Sequence, residues 1–510
     1  MYKVQKKNLF AGLTFFFTSC TTYLLFLSFY DSTTGLDYGL KYSQYIAKYA
    51  FGSLVNLQDG QSIIYYYFIS KLVAFNADLI GPYNLNNIIN NSIQSGNYLL
   101  TLFGYLGLYN FYKLEEKNTS YLLYSFSILN FFPPLIYLRL TFKSEILAFA
   151  LMPWVLYLFQ RIKSLDAKLN EKIIFVIFFS TLLSIKPSVT GMVLLAFVIL
   201  EYNNLNSNFK YFFWIALTTL IILYFNFKLI GLNFFEHTNS GSDTIWDNRA
   251  NLKFFFYLNF VKLISEPIFN FRSDSFISII LIDTYSDYFT FFWKHKEFTN
   301  LLAKEPVQFS NNFFIKKYLR DYFAIFLSSL TYISLIINLL LNKDKHRRIY
   351  SFVFLSLLIL IINSLGIPKN NFNPLTGDTF KVHYFAFMLT ISVAHLLITN
   401  DKFIKRFLIL IPIFIFIMGF PKPDLSHYKN FILYKLESSA FCYIFEENEN
   451  CRNIYINTCK YEYPKFIYNY SNLENYYSYI QPIKLNLENN FVYVRNIYEC
   501  NKYFNEGYSY

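Results

Sequence analysis

Two aspartates and a scatter of basic residues are the groups in this sequence best suited to chemistry. Asp37 and Asp59 lie in DSTTGLDYGLKYSQYIAKYAFGSLVNLQDGQSIIYYYFISKL, residues 31–72. A carboxylate at a boundary between water and apolar surroundings has its pKa raised, which suits it to take a proton from a hydroxyl. Asp37 would serve equally well as a helix cap in a solvated loop. The basic candidates are Arg139 and Lys143 in LRLTFKSE, Lys186 in IKPS, and Lys381 beside His383 in TGDTFKVHY. Arg and Lys are the natural partners of phosphate, and their long stems also let them snorkel to ordinary headgroups. Asp283 and Asp287 interrupt the otherwise apolar ILIDTYSDYFTFFW, where acidic groups default to a functional reading.

The elements that must carry these groups are set by hydrophobicity. Of 510 residues, 54% are hydrophobic and 15% charged, against about 25% charged in a soluble domain. Apolar runs near 9–30, 95–112, 120–138, 145–160, 211–232, 321–342, 349–366, 383–400 and 404–420 are each about the length that crosses a bilayer as a helix. The run 173–201 is too long for one span, and Ile185-Lys186-Pro187-Ser188 sits in its middle. A single kinked helix would bury Lys186 at a cost of about 2.5–3.5 kcal/mol. A hairpin of two short helices places it in a surface turn and keeps the later basic clusters, Lys343 to Arg348 and Lys402 to Arg406, on the same side as the N-terminus. The sequence therefore predicts an all-α polytopic membrane protein of about eleven spans, N-terminus cytoplasmic and C-terminus outside.

That topology divides the chain into a bundle over 1–420 and an outward tail over 421–510. Outer loops cover 31–94 and 233–320, and the second holds two apolar stretches, Leu252–Ile264 and Phe276–Trp293, expected to lie at the interface. Cys442, Cys451, Cys459 and Cys500 all fall in the tail. Their spacing fits no structural zinc site, and two disulfides in an oxidising compartment is the expectation. The net charge of +12 sits in short clusters between apolar runs, as the positive-inside rule requires, so nucleic acid is not the expected partner. No Walker A loop, GxGxxG or HExxH occurs, and no cofactor or metal is indicated.

Asp37 with GLDYGLKYSQYIAKYAFGS, the following DGQSIIYYYFISKL, the RLTFKSEILAFALMPWVLYLF segment, the IKPSVTGMVLLAFVIL hairpin and KVHYFAFMLTISVAHLL together resemble the GT-C superfamily of membrane glycosyltransferases. Its members include protein O-mannosyltransferases and bacterial aminoarabinose transferases. The resemblance covers residues 1–420 in architecture. It implies a polyprenyl-phosphate-linked sugar as donor, a glycan, lipid or protein as acceptor, and a bacterial plasma membrane as the site of action. It maps the acceptor-side acid onto Asp37 and a second acidic position onto Asp59. The donor-phosphate residues correspond to Arg139, Lys186 or Lys381, with Lys143 and His383 beside them. Two other classes stay open: an envelope polysaccharide polymerase or ligase, which would use Arg249, Lys253, Lys262 and Arg272 of the 233–320 loop, and a lipid-linked-sugar flippase or transporter.

Overall fold

The computed structural model describes residues 2–29, 32, 43–51, 63–80, 85–114, 117–163, 167–185, 190–191, 193, 195–196, 205–230, 258–265, 275–282, 284–285, 311–341, 347–363, 382–399, 483–487 and 490–494. The helices among them are α1 (Tyr2–Phe29), α2 (Ser43–Phe51), α3 (Ile63–Ile80), α4 (Leu85–Leu114), α5 (Thr119–Leu129), α6 (Pro133–Leu140), α7 (Glu145–Lys163), α8 (Leu169–Ile185), α9 (Leu205–Ile230), α10 (Phe260–Ser265), α11 (Phe276–Ile282), α12 (Asn311–Leu341), α13 (Arg347–Asn363) and α14 (Val382–Thr399). The fold is all-α, as expected, with one short addition in the tail: antiparallel strands β1 (Ile483–Leu487) and β2 (Asn490–Val494) pair Ile483 with Val494.

Ring and hydrogen-bond contacts fix how the helices run. Phe15 meets Phe126, and the Asn130 carboxamide donates to Ser19 Oγ, so α1 and α5 are parallel. Phe15 also meets Tyr105 while Tyr23 meets Tyr98, which makes α4 antiparallel to α1. Arg161 and Glu171 close the antiparallel α7–α8 pair, with Phe159 stacked on Phe175 further in. Phe175 lies against Tyr211, and Ser180 Oγ donates to the Ile215 carbonyl, so α8 and α9 are parallel.

Two parallel helices consecutive in the bundle require the chain to cross back between them. α8 is described to Ile185, one residue before Lys186. Thr190 Oγ1 donates to the Leu183 carbonyl at 3.0 Å, seven positions away. A continuous helix would set those residues about 10 Å apart.

The apolar run 120–138 is not one straight helix. It breaks at Asn130–Phe132 into α5 and α6, bent by 69°. Pro133 and Pro134 occupy the first turn of α6, where a missing N–H is harmless and the fixed φ favours a helix start. Among the described residues one helix, α7, has a stretch long and apolar enough to cross a membrane (Glu145–Ile162), or two if α5 and α6 form a single bent span.

α14 is the centre of the bundle. It is apolar around its whole circumference, the pattern of a fully buried helix, and every residue from Phe385 to Ile398 is buried. It packs on α5, α6, α7, α12 and α13. Near its C-terminal end the His395 imidazole Nδ1 is hydrogen-bonded to the Tyr112 hydroxyl of α4, both groups fully buried.

α4 and α7 cross at unusually short range. Pro153 removes the amide that would bond the Phe149 carbonyl, and Gly104 of α4 lies at that carbonyl: a Cβ there would sit 3.0 Å from Phe149 O and 2.7 Å from its ring. Gly107 makes the same close approach to Pro153 and Trp154, and the Trp154 indole N–H donates to the Phe103 carbonyl at 2.9 Å.

α11 and the residues beside it are partly buried. Ser275, Ser278, Thr284 and Tyr285 are all buried. The Tyr285 hydroxyl bonds Thr331 Oγ1 of α12, and its ring meets Phe132 at the α5–α6 elbow. α10, by contrast, exposes Phe260, Val261 and Ile264.

The outer faces of several helices are strongly apolar. α1 exposes Leu9, Phe10, Leu13, Phe16, Phe17 and Leu24, and α9 exposes Phe213, Trp214, Leu217, Leu220, Ile221, Tyr224 and Phe225.

Candidate functional site

One group of buried polar side chains surrounds Arg139. Its side chain is 3% exposed, carried on the last turn of α6. Guanidinium Nη1 donates to Thr22 Oγ1 of α1 at 3.2 Å, and the cation lies over the Tyr98 ring of α4 at 5.1 Å. The phenol groups of Tyr105, Tyr98 and Tyr23 are its electrostatic neighbours.

Two buried carboxamides bracket this arginine. Asn97 of α4 sits where α6 ends. Its Nδ2 donates to the carbonyls of Arg139 and Thr141, both at 2.9 Å, while its Oδ1 accepts from the Tyr65 hydroxyl of α3 at 2.8 Å. The terminal carbonyls of a helix have no partner within it, so Asn97 caps α6 from a neighbouring helix. Asn130, at the elbow between α5 and α6, ties the bent pair to α1. It donates to Thr18 Oγ1 and Ser19 Oγ of α1 and accepts from the Tyr105 hydroxyl.

Asn97 is one of a row. Asn90, Gln94, Asn97 and Thr101 recur at spacings of four, three and four, and all are buried. They form a polar stripe down one face of α4. The stripe begins at Ser32, whose backbone N–H donates to Asn90 Oδ1 at 2.8 Å, and Gln94 Nε2 donates to the same oxygen.

The helices α2 and α3 dock beside the same turn. Tyr45 stacks on Tyr66 at 4.4 Å, and Tyr65 and Tyr66 both pack on Phe142 between α6 and α7. Lys143, half-buried, holds its ammonium 5.9 Å from the centre of the Tyr137 ring. Glu145, buried, opens α7 within electrostatic reach of Tyr65.

Of the residues singled out in the sequence, then, Arg139 and Lys143 lie in and beside this centre, Arg139 facing the interior. Asp37, Asp59, Lys186, Lys381, Asp283 and Asp287 lie outside the described residues, as do the four tail cysteines. The backbone of His383 is in the first turn of α14, and its side chain lies outside the description. Sequence reasoning missed Asn97, Asn130, Tyr65, Tyr98 and Thr22. The helical spacing of Asn90, Gln94, Asn97 and Thr101 was the signal available for the first.

The arrangement offers a permanent cation, neutral hydroxyls and amides in a low-dielectric interior. Such a setting strengthens an electrostatic contact to an anion. Among the described residues no group of three His, Cys, Asp or Glu side chains could hold a metal. No family model and no curated protein matches the chain.

Proposed function

We propose that this chain is a polytopic membrane protein of about eleven spans and a GT-C-like glycosyltransferase working at the non-cytoplasmic face. The membrane reading is supported by the exposed apolar faces of α1 and α9, which run along helices of 28 and 26 residues. Helices of that length reach about 40 Å, more than the roughly 30 Å hydrocarbon core of a bilayer. Apolar faces so extended exceed what soluble monomers show to water. The directions of the helices bring the α1 N-terminus, the α4–α5 turn, the α7–α8 turn and the start of α9 to one end. Lys6, Lys7, Lys113, Lys117, Arg161, Lys163, Lys168, Lys172 and Lys210 belong to that end, which is the cytoplasmic one by the positive-inside rule.

The observation that carries the catalytic reading is Arg139, a charge kept inside the bundle toward the opposite end. Polar charge at such depth defaults to function, and a lipid-linked phosphate is the anion that reaches it from the bilayer. In the reaction, an acceptor hydroxyl attacks the anomeric carbon of a polyprenyl-phosphate sugar. The acceptor O–C bond forms, the C–O bond to phosphate breaks, and the phosphate leaves with the electron pair; the proton passes to a carboxylate. Inversion follows from a single displacement. Asp37 is the proposed base, with Asp59 as the second acid. The chain leaves Ser32 five residues before Asp37 and enters α3 four residues after Asp59, and both anchors belong to the Arg139 end. Lys186, Lys381 and His383 are the further candidates for the phosphate.

The test is release of polyprenyl phosphate from a polyprenyl-phosphate hexose or pentose by the purified full chain in lipid. Asp37→Asn is expected to abolish release while leaving membrane insertion intact; retained release rejects the assignment. The α4 polar stripe favours a second reading, a flippase that moves a lipid-linked sugar without chemistry. That reading predicts an intact donor in the opposite leaflet and no free polyprenyl phosphate.

A further inference from the structure

We infer that the rim formed by the first turns of α8 and α9 binds an anionic glycerophospholipid. The inference rests on the membrane reading above and is independent of the catalytic one. Phe175 of α8 packs on Tyr211 of α9 with ring centres 6.3 Å apart, and the two helices run parallel. Their starts therefore lie at the same end, with Lys168, Lys172 and Lys210 within about two turns of one level. Lys168 and Lys210 are exposed and Lys172 is half-exposed.

The carboxylate nearest them in sequence is already engaged. Glu171 accepts Arg161 Nε at 3.1 Å on one oxygen and the Lys168 backbone N–H at 2.9 Å on the other. The Lys210 ammonium rests 5.3 Å from the centre of the Tyr211 ring, a contact with the ring face that leaves N–H groups for an anion.

Within one to two turns below these cations both helices become apolar outward. Ile173, Ile174 and Ile177 on α8 and Phe213 and Trp214 on α9 are all exposed, Trp214 by 54%. Positive charge above and an apolar wall below match one molecule with an anionic headgroup and two acyl chains. Each lysine near such a surface contributes about five-fold in affinity for anionic over neutral lipid, roughly 1 kcal/mol. A soluble phosphate would gain from the charges and nothing from the wall.

Trp214 supplies the readout. The full chain is reconstituted in equal mixtures of phosphatidylglycerol and phosphatidylcholine, with brominated chains on one lipid or the other. Subtracting the quenching seen in Trp214→Phe isolates this site. Quenching at Trp214 is expected to report at least about five-fold preference for phosphatidylglycerol. The preference should disappear in Lys168→Gln/Lys172→Gln/Lys210→Gln and return with arginine at the three positions. Equal quenching by both lipids in the parent protein, or a preference unchanged in the glutamine variant, overturns the site and leaves the membrane reading standing. No quenching at Trp214 by either lipid overturns both.

Discussion

The Asn97 carboxamide holds Arg139 by its backbone rather than by its charge: Nδ2 donates to the Arg139 and Thr141 carbonyls at 2.9 Å each. A buried amide with three bonds is costly to remove, because the groups it served are left buried and unpaired. Asn97→Ala is expected to destabilise the protein by about 2–3 kcal/mol, and Tyr65→Phe, which removes one donor, by about 1 kcal/mol. Since the Tyr65 hydroxyl bonds Asn97 Oδ1, the double variant should lose less than the sum. Equilibrium unfolding in detergent measures all three, and strict additivity would show that the two side chains are uncoupled.

The α4–α7 crossing depends on two missing side chains. A Cβ on Gly104 would press on the Phe149 ring and carbonyl, and one on Gly107 on Pro153 and Trp154 at 2.9–3.0 Å. Gly104→Ala and Gly107→Ala are each expected to destabilise by about 1–3 kcal/mol through overpacking. Gly12 of α1 has nothing within 4 Å of its would-be Cβ, so Gly12→Ala should be neutral or stabilising by up to about 1 kcal/mol from helix propensity. Melting temperatures of the three variants in one detergent decide the matter; equal shifts at all three would mean that the crossing is not the cause.

Much of this bundle is legible in the sequence, and the exceptions have physical causes. Apolar runs locate α1, α7, α9, α12, α13 and α14 to within several residues at most ends, because apolar length is what such helices are selected for. The described part of α8 ends at Ile185, next to the Lys186 that charge placement singles out. The elbow at Asn130–Phe132 is not, because hydropathy continues through FSILNFFPPLIYL; only Asn130 and the Pro pair mark it. α4 starts at Leu85, well before its apolar run near 95; its early turns bury the polar Asn90 and Gln94, which hydropathy does not mark. α3 lies in the 31–94 segment, where no apolar run is singled out over 63–80, and is an 18-residue helix docked on Phe142. The cap from Asn97 to α6 joins positions more than forty residues apart, and no local pattern encodes such a contact.

Acid should loosen the α7–α8 turn. The Lys168 N–H first and Arg161 second hold the Glu171 carboxyl below its ordinary value of 4.5. A carboxylate with a depressed folded pKa contributes stability that is fully present above the unfolded value and lost as pH falls through the folded one. Wild-type melting temperature should therefore fall below about pH 4.5 more steeply than that of Glu171→Gln, which keeps an acceptor but has no charge to lose. Parallel pH profiles for the two proteins would remove Glu171 from the account.

Arg139 offers the sharpest separation of stability from function. Replacing a buried charge with an apolar residue of similar volume is often neutral or stabilising, because the desolvation penalty disappears with the charge. If Arg139 were kept only to tie α6 to Thr22 and Tyr98, Arg139→Met would lose those contacts and nothing else. The proposed transferase role demands more: the protein should fold with a melting temperature near that of wild type and lose release of polyprenyl phosphate by about 100-fold or more, the scale on which a preorganised electrostatic donor acts. Arg139→Lys should keep the charge but lose the planar contact with Tyr98, giving an intermediate rate. A folded Arg139→Met protein with full activity would return Arg139 to a structural role, and would leave Lys186 and Lys381 to carry the phosphate.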